Sequence, residues 1–146
     1  MTLPPEQRGG LNIDAVHSKL SLGQFQEVLD EASQLLTKAK IKLDRATCHF
    51  LIGAALKNLG NASEALPHFL EATLVYPTDQ PFLVAHAQLE VSEIQNDKGL
   101  NESALFFIDM AISNFDLIEE IPGTAGVKQE CKVLKEKIFK ELKNLK

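Results

Sequence analysis

Residues 49–77 read HFLIGAALKNLGNASEALPHFLEATLVYP. Phe50, Gly53 and Ala54 recur at spacings of three and four, and so do Ala65, Phe69, Ala72 and Val75, which is the period of a helix with one buried face. Leu59-Gly60-Asn61 separates the two runs. Glycine ends a helix readily because it takes the left-handed backbone conformation without strain. Asn61 is expected to cap the second helix, with Glu64 three residues on completing a capping box. Pro77 then stops that helix, since it cannot extend the hydrogen-bond ladder. The stretch is therefore a helix hairpin.

Working outward, the same grammar repeats. Leu29, Ala32, Leu35, Leu36 and Ala39 keep the helical period, and no segment alternates apolar and polar residues long enough to be a strand. Breaks fall at Leu22-Gly23-Gln24, Leu59-Gly60-Asn61, Pro77-Thr78-Asp79, Lys98-Gly99-Leu100 and Pro122-Gly123. Gly23, Gly60 and Gly99 stand 37 and 39 residues apart. Periods of this length belong to solenoids, in which helix pairs bury their faces by stacking on neighbours.

The middle hairpin resembles the tetratricopeptide repeat, a family whose unit spans about 34 residues. Laid from Ala46 to Asp79, Ile52-Gly53 take the place of its Leu-Gly pair, Leu56 the large residue after it, and Gly60 the turn. Ala65, Phe69, Ala72 and Pro77 match the second helix, while His49 replaces the preferred Trp. Gly53 and Ala65 are expected where the two helices cross, with Phe69 and Leu56 filling the space beside them. Downstream, Gly99, Ala104, Ile108 and Ala111 match, with Ser92 in place of the crossing glycine. Upstream, Gly23, Val28, Ala32 and Leu35 occupy the corresponding places.

The expected fold is thus all-α, a right-handed helical-hairpin solenoid of about seven helices. A lead-in over residues 1–10 precedes three hairpins within 11–122, assigned to 11–42, 43–79 and 80–118. A helix over 123–146 follows, with Val127, Cys131, Leu134, Ile138, Leu142 and Leu145 on one stripe. It is read as a cap on the stack, against the alternative of a partner-binding helix.

Composition narrows the function. A net charge of −5 argues against a dominant nucleic-acid surface, which needs clustered Lys and Arg. Residues 125–146 carry seven Lys and three Glu, a local +4 that leaves −9 for the rest. No run approaches the ~18 apolar residues of a membrane span, and the N-terminus lacks the basic and apolar regions of a signal peptide. Cys48 and Cys131 fit neither a metal spacing nor a disulfide framework, so both are read as buried thiols in a reducing compartment. A cytoplasmic protein is expected, with no membrane insertion.

Catalytic chemistry is not expected. Cys48 and His49 are adjacent, and neighbours on a helix point about 100° apart. His17, His49, His68 and His86 show no HxxxH spacing, and no glycine-rich phosphate loop is present. No catalytic, cofactor or metal residue is assigned.

The resemblance implies a scaffold that binds another protein on the concave wall built by the first helix of each hairpin. In the family register that wall carries Ile13, His17 and Leu20, then Thr47, Phe50, Ala54 and Lys57, then His86, Leu89, Glu93 and Asn96. An apolar centre with a mixed rim suits an amphipathic helix or an extended peptide. The acidic C-terminal peptide of a heat-shock chaperone fits poorly. Its basic contact positions hold Ile13, His17, Leu51, His86 and Glu90, and Glu90 would repel a carboxylate. Self-association, or a place within a longer solenoid, is the alternative.

Overall fold

The computed structural model describes residues 13–75, 81–118 and 124–145. Among these residues it contains seven helices and no strand. They are α1 (Ile13–Ser21), α2 (Phe25–Lys38), α3 (Lys42–Asn58), α4 (Ala62–Ala72), α5 (Pro81–Asp97), α6 (Asn101–Asp116) and α7 (Thr124–Asn144). The all-helical class expected from the sequence is found. The lead-in over 1–10 and the breaks at Pro77-Thr78-Asp79 and Pro122-Gly123 lie outside the described residues. The chain divides into two compact units, α1–α4 and α5–α7, with the boundary between Val75 and Tyr76.

Each of the three glycine turns is built the same way. Gly23, Gly60 and Gly99 have φ of 79°, 90° and 81°. In the middle turn the Gly60 N–H bonds to the Lys57 carbonyl at 3.1 Å and the Asn61 N–H to the Leu56 carbonyl at 2.8 Å. The same pair of bonds recurs at Gly23–Leu20 with Gln24–Lys19, and at Gly99–Asn96 with Leu100–Gln95. This double closure satisfies carbonyls that the helix end would leave open, and it reverses the chain within two residues.

The expected capping box does not form. Asn61 occupies the N-cap of α4, but its side chain makes no capping bond. The backbone bond from Asn61 N–H to Leu56 already fixes the entry to α4, so the side chain is not needed to start the helix. Pro67 sits inside α4 on its exposed side and donates no backbone bond there.

In the first unit α1 packs on α2 and α3, and α3 packs on α2 and α4. Lys19 of α1 ties to α2 by donating to both Glu31 carboxylate oxygens, at 2.8 and 2.7 Å. Hydrogen bonding to Glu31 is the main cause that raises the Lys19 pKa. Val28, Ala32, Cys48, Leu51, Ala55, Ala65, Phe69 and Ala72 are fully buried. At Gly53 an added Cβ would stand 3.0 Å from the Phe69 ring. The close approach that requires glycine is therefore to the Phe69 ring, which was expected to fill the space beside the crossing.

In the second unit α6 packs between α5 and α7. Ala85 and Leu89 of α5 join Ala104, Ile108, Ala111 and Phe115 of α6 and Cys131, Leu134 and Ile138 of α7 in one core. Val127 and Leu142 pack against it, but Leu145, expected on the same stripe, is 74% exposed. Ser92 stands where Gly53 stands in the preceding hairpin, and its Oγ donates to the Ala104 carbonyl at 2.7 Å. A polar seam runs along this helix pair. The Asn114 amide donates to Gln88 Oε1 at 2.8 Å, Ser103 donates to Gln95, and Asn101 donates to Asn96 Oδ1 at 2.7 Å and to Glu141 at 2.9 Å.

Candidate functional site

α3 buries one side in the core, where Cys48, Leu51, Ile52, Ala55 and Leu56 lie between 0 and 6% exposed. The strip Thr47, Phe50, Ala54 and Lys57, at spacings of three, four and three, is half-buried, as is His49, while Lys42, Leu43, Arg45 and Asn58 are exposed. That spacing places the four strip residues on one face over about three turns. Phe50 is held by an edge-on contact to Phe69, with ring centroids 5.6 Å apart and planes at 70°. Gly53, Phe69 and Phe50 therefore form a chain in which a missing Cβ admits one ring and that ring positions the next.

The first helix adds Ile13 and Leu20, both half-buried, and His17, which is exposed. Because α1 packs on α3, these three and the α3 strip belong to helices in direct contact. Seven of the eleven wall residues expected from sequence are thus carried by one pair of packed helices.

The four on α5 fall differently. Leu89 is 4% exposed and belongs to the core shared with α6 and α7. Asn96 is 5% exposed, and its Oδ1 accepts the bond from Asn101. His86 and Glu93 are half-buried. The His86 ring stands edge-on to Phe82 at 5.8 Å, and its Nε2 is 3.8 Å from Glu90. Leu51, at one of the chaperone-peptide positions, is fully buried as well.

Reactive groups are muted. Burial pushes the Cys48 thiol up to about 11 and the Cys131 thiol up to about 12, so both stay protonated near neutral pH. Among the described residues no three His, Cys, Asp or Glu gather as a metal site. A shallow cleft of about 310 Å³ lies at the hairpin turns, lined by Gly23, Gln24, Phe25, Gln26, Glu27 and Leu59. None of the eleven wall residues lines it. No described helix is long and apolar enough to cross a membrane.

One feature escaped the sequence reading. His49 of α3 and His68 of α4 meet with their Nδ1 atoms 3.0 Å apart and ring centroids 5.2 Å apart. They are nineteen residues apart in the chain, so no local spacing announces the pair. In the repeat register His49 stands on the Trp position, a packing site.

No family model matches the chain, and no curated protein or solved structure matches it either.

Proposed function

We propose that this chain is a non-catalytic protein-binding module of tetratricopeptide-repeat type. It takes a peptide or amphipathic helix of another protein along the face of α1 and α3. The observation that carries this reading is the strip Thr47, Phe50, Ala54 and Lys57, half-buried on one face of a helix whose Cys48, Leu51, Ile52, Ala55 and Leu56 are buried. A half-buried aromatic ring held by a second ring is a pre-positioned anchor, the kind of group that dominates binding energy at interfaces. The repeat reading is supported by the three hairpins, α1–α2, α3–α4 and α5–α6, each joined by the same glycine turn. A cytoplasmic setting agrees with two free, protonated cysteines.

The test is affinity purification with mass spectrometry on wild type, Phe50→Glu and Ala54→Arg, each first checked for helical circular dichroism. A prey lost in both folded variants supports the site. A prey retained by both overturns it.

A second reading is self-association. It draws on large apolar side chains left open on α6, at its C-cap and on α7, where Phe106 is 62%, Leu117 73% and Val133 56% exposed. Sedimentation velocity across a concentration series separates the two readings, since only self-association raises the mass of the isolated chain.

A further inference from the structure

The contact between His49 and His68 joins the two helices of the middle hairpin through their ring nitrogens. At 3.0 Å between Nδ1 atoms, one ring must donate its Nδ1–H and the other must offer an Nδ1 lone pair. The donor is then the Nδ1–H tautomer and the acceptor the Nε2–H tautomer. Both rings are half-buried. We propose that this pair is an acid-sensitive latch between α3 and α4, closed while the two rings share at most one added proton and released by the second.

The two-step character follows from the hydrogen positions. A first proton can enter at Nε2 of the donor ring, and the imidazolium still donates its Nδ1–H to the neutral partner. A second proton has only the acceptor Nδ1 left to occupy. Two N–H groups then face each other across 3.0 Å and two cations share a half-buried site, so the contact must open.

The surroundings favour the closed state near neutral pH. Burial lowers the pKa of both rings, and for His49 the neighbouring His68 and the Arg45 guanidinium lower it further. Glu71 of α4 opposes this at both rings. The pair also lacks a third protein ligand among the described residues, which is why a proton and not a metal ion is assigned to it.

The linkage sign is fixed by the direction of the shifts. Unfolding restores both rings toward the ordinary value of 6.5, so the unfolded chain binds more protons in this range. The stabilisation is complete above pH 6.5 and is lost as pH falls through the lowered folded values. Release would act on α3, which also carries the Phe50 strip, but the latch does not depend on what that strip binds.

Two measurements on the full chain test it. Ring-nitrogen NMR should show one ring as the Nδ1–H tautomer and the other as Nε2–H at pH 8, followed by two separate protonation steps below the ordinary histidine range. Finding both rings as Nε2–H, or both titrating together at the ordinary value, overturns the latch. Urea unfolding between pH 7 and 5 should then show wild type taking up at most one proton per ring more than His49→Gln/His68→Gln. A double variant with an unchanged slope overturns the proposal. If that variant does not fold, the ring titration of the wild type decides.

Discussion

The edge of the Phe69 ring occupies the space that a side chain on Gly53 would need, with three ring carbons between 3.0 and 3.1 Å of the Cβ position. Both residues are buried, Phe69 fully, so neither can move toward solvent to relieve the crowding. The relationship sets the distance between α3 and α4 and, through the edge contact of Phe69 with Phe50, the position of the proposed anchor.

Gly53→Ala is therefore expected to destabilise the chain by roughly 1–2 kcal/mol, because overpacking outweighs the ~1 kcal/mol that alanine gains over glycine inside a helix. Urea denaturation reads the effect as a lower midpoint. Adding Phe69→Leu should recover part of the loss. The next hairpin already shows that solution, with Ser92 at the crossing and Ile108 in place of the ring. A Gly53→Ala midpoint above wild type would show that the ring yields without cost.

Gly60 is constrained for a different reason. Its φ is 90°, and nothing lies within 4 Å of an added Cβ. Only backbone strain opposes substitution there. Gly60→Ala should cost about 1–2 kcal/mol, and Gly60→Asn less, because asparagine tolerates the left-handed region better than alanine. Thermal unfolding of the three proteins should rank them glycine, asparagine, alanine. Equal losses for alanine and asparagine would point to a cause other than the backbone.

These two glycines also mark how far sequence could reach. Helix class and turn positions were legible because helical period and glycine C-caps are local signals, set within a few residues. The α7 stripe was legible for the same reason, apart from Leu145 near the end of the helix. What depended on how one helix is rotated against another was not legible. The His49–His68 contact needs facing rotamers on two helices. Leu89 is buried in the core that α5 shares with α6 and α7, and Asn96 is tied to Asn101, neither of which the pattern of α5 encodes. The Asn61 side chain was superfluous because a backbone bond already starts α4.

The Asn96–Asn101 pair carries a prediction of its own. Both residues are at least nine-tenths buried, and Asn101 Nδ2 serves Asn96 Oδ1 and Glu141 together. Asn101→Ala strands the buried Asn96 Oδ1 and removes the bond to the half-buried Glu141, so a loss of about 1–3 kcal/mol is expected. Asn96→Ala should cost less when Asn101 is already alanine than when it is intact, the mark of a shared bond. Additive losses in that double-mutant cycle would mean the two side chains act separately.

The cysteines supply the last prediction. Desolvation is the main cause of both shifts, with Asp44 adding at Cys48, and Glu130 and Asp116 adding at Cys131. Relative to an ordinary thiol at 9.0, a value of about 11 leaves roughly 100-fold less thiolate at pH 8, and about 12 leaves roughly 1000-fold less. Only the thiolate attacks a disulfide reagent, and both side chains are fully buried. Ellman's reagent should therefore label neither cysteine of the folded chain on the timescale of free cysteine, and should label both once urea unfolds it. Because Cys48 is buried on α3 of the first unit while Cys131 lies in the α5–α7 core, their labelling under mild urea reports the two units separately. Fast labelling of Cys48 in native buffer would mean that the first unit opens well below the threshold of global unfolding.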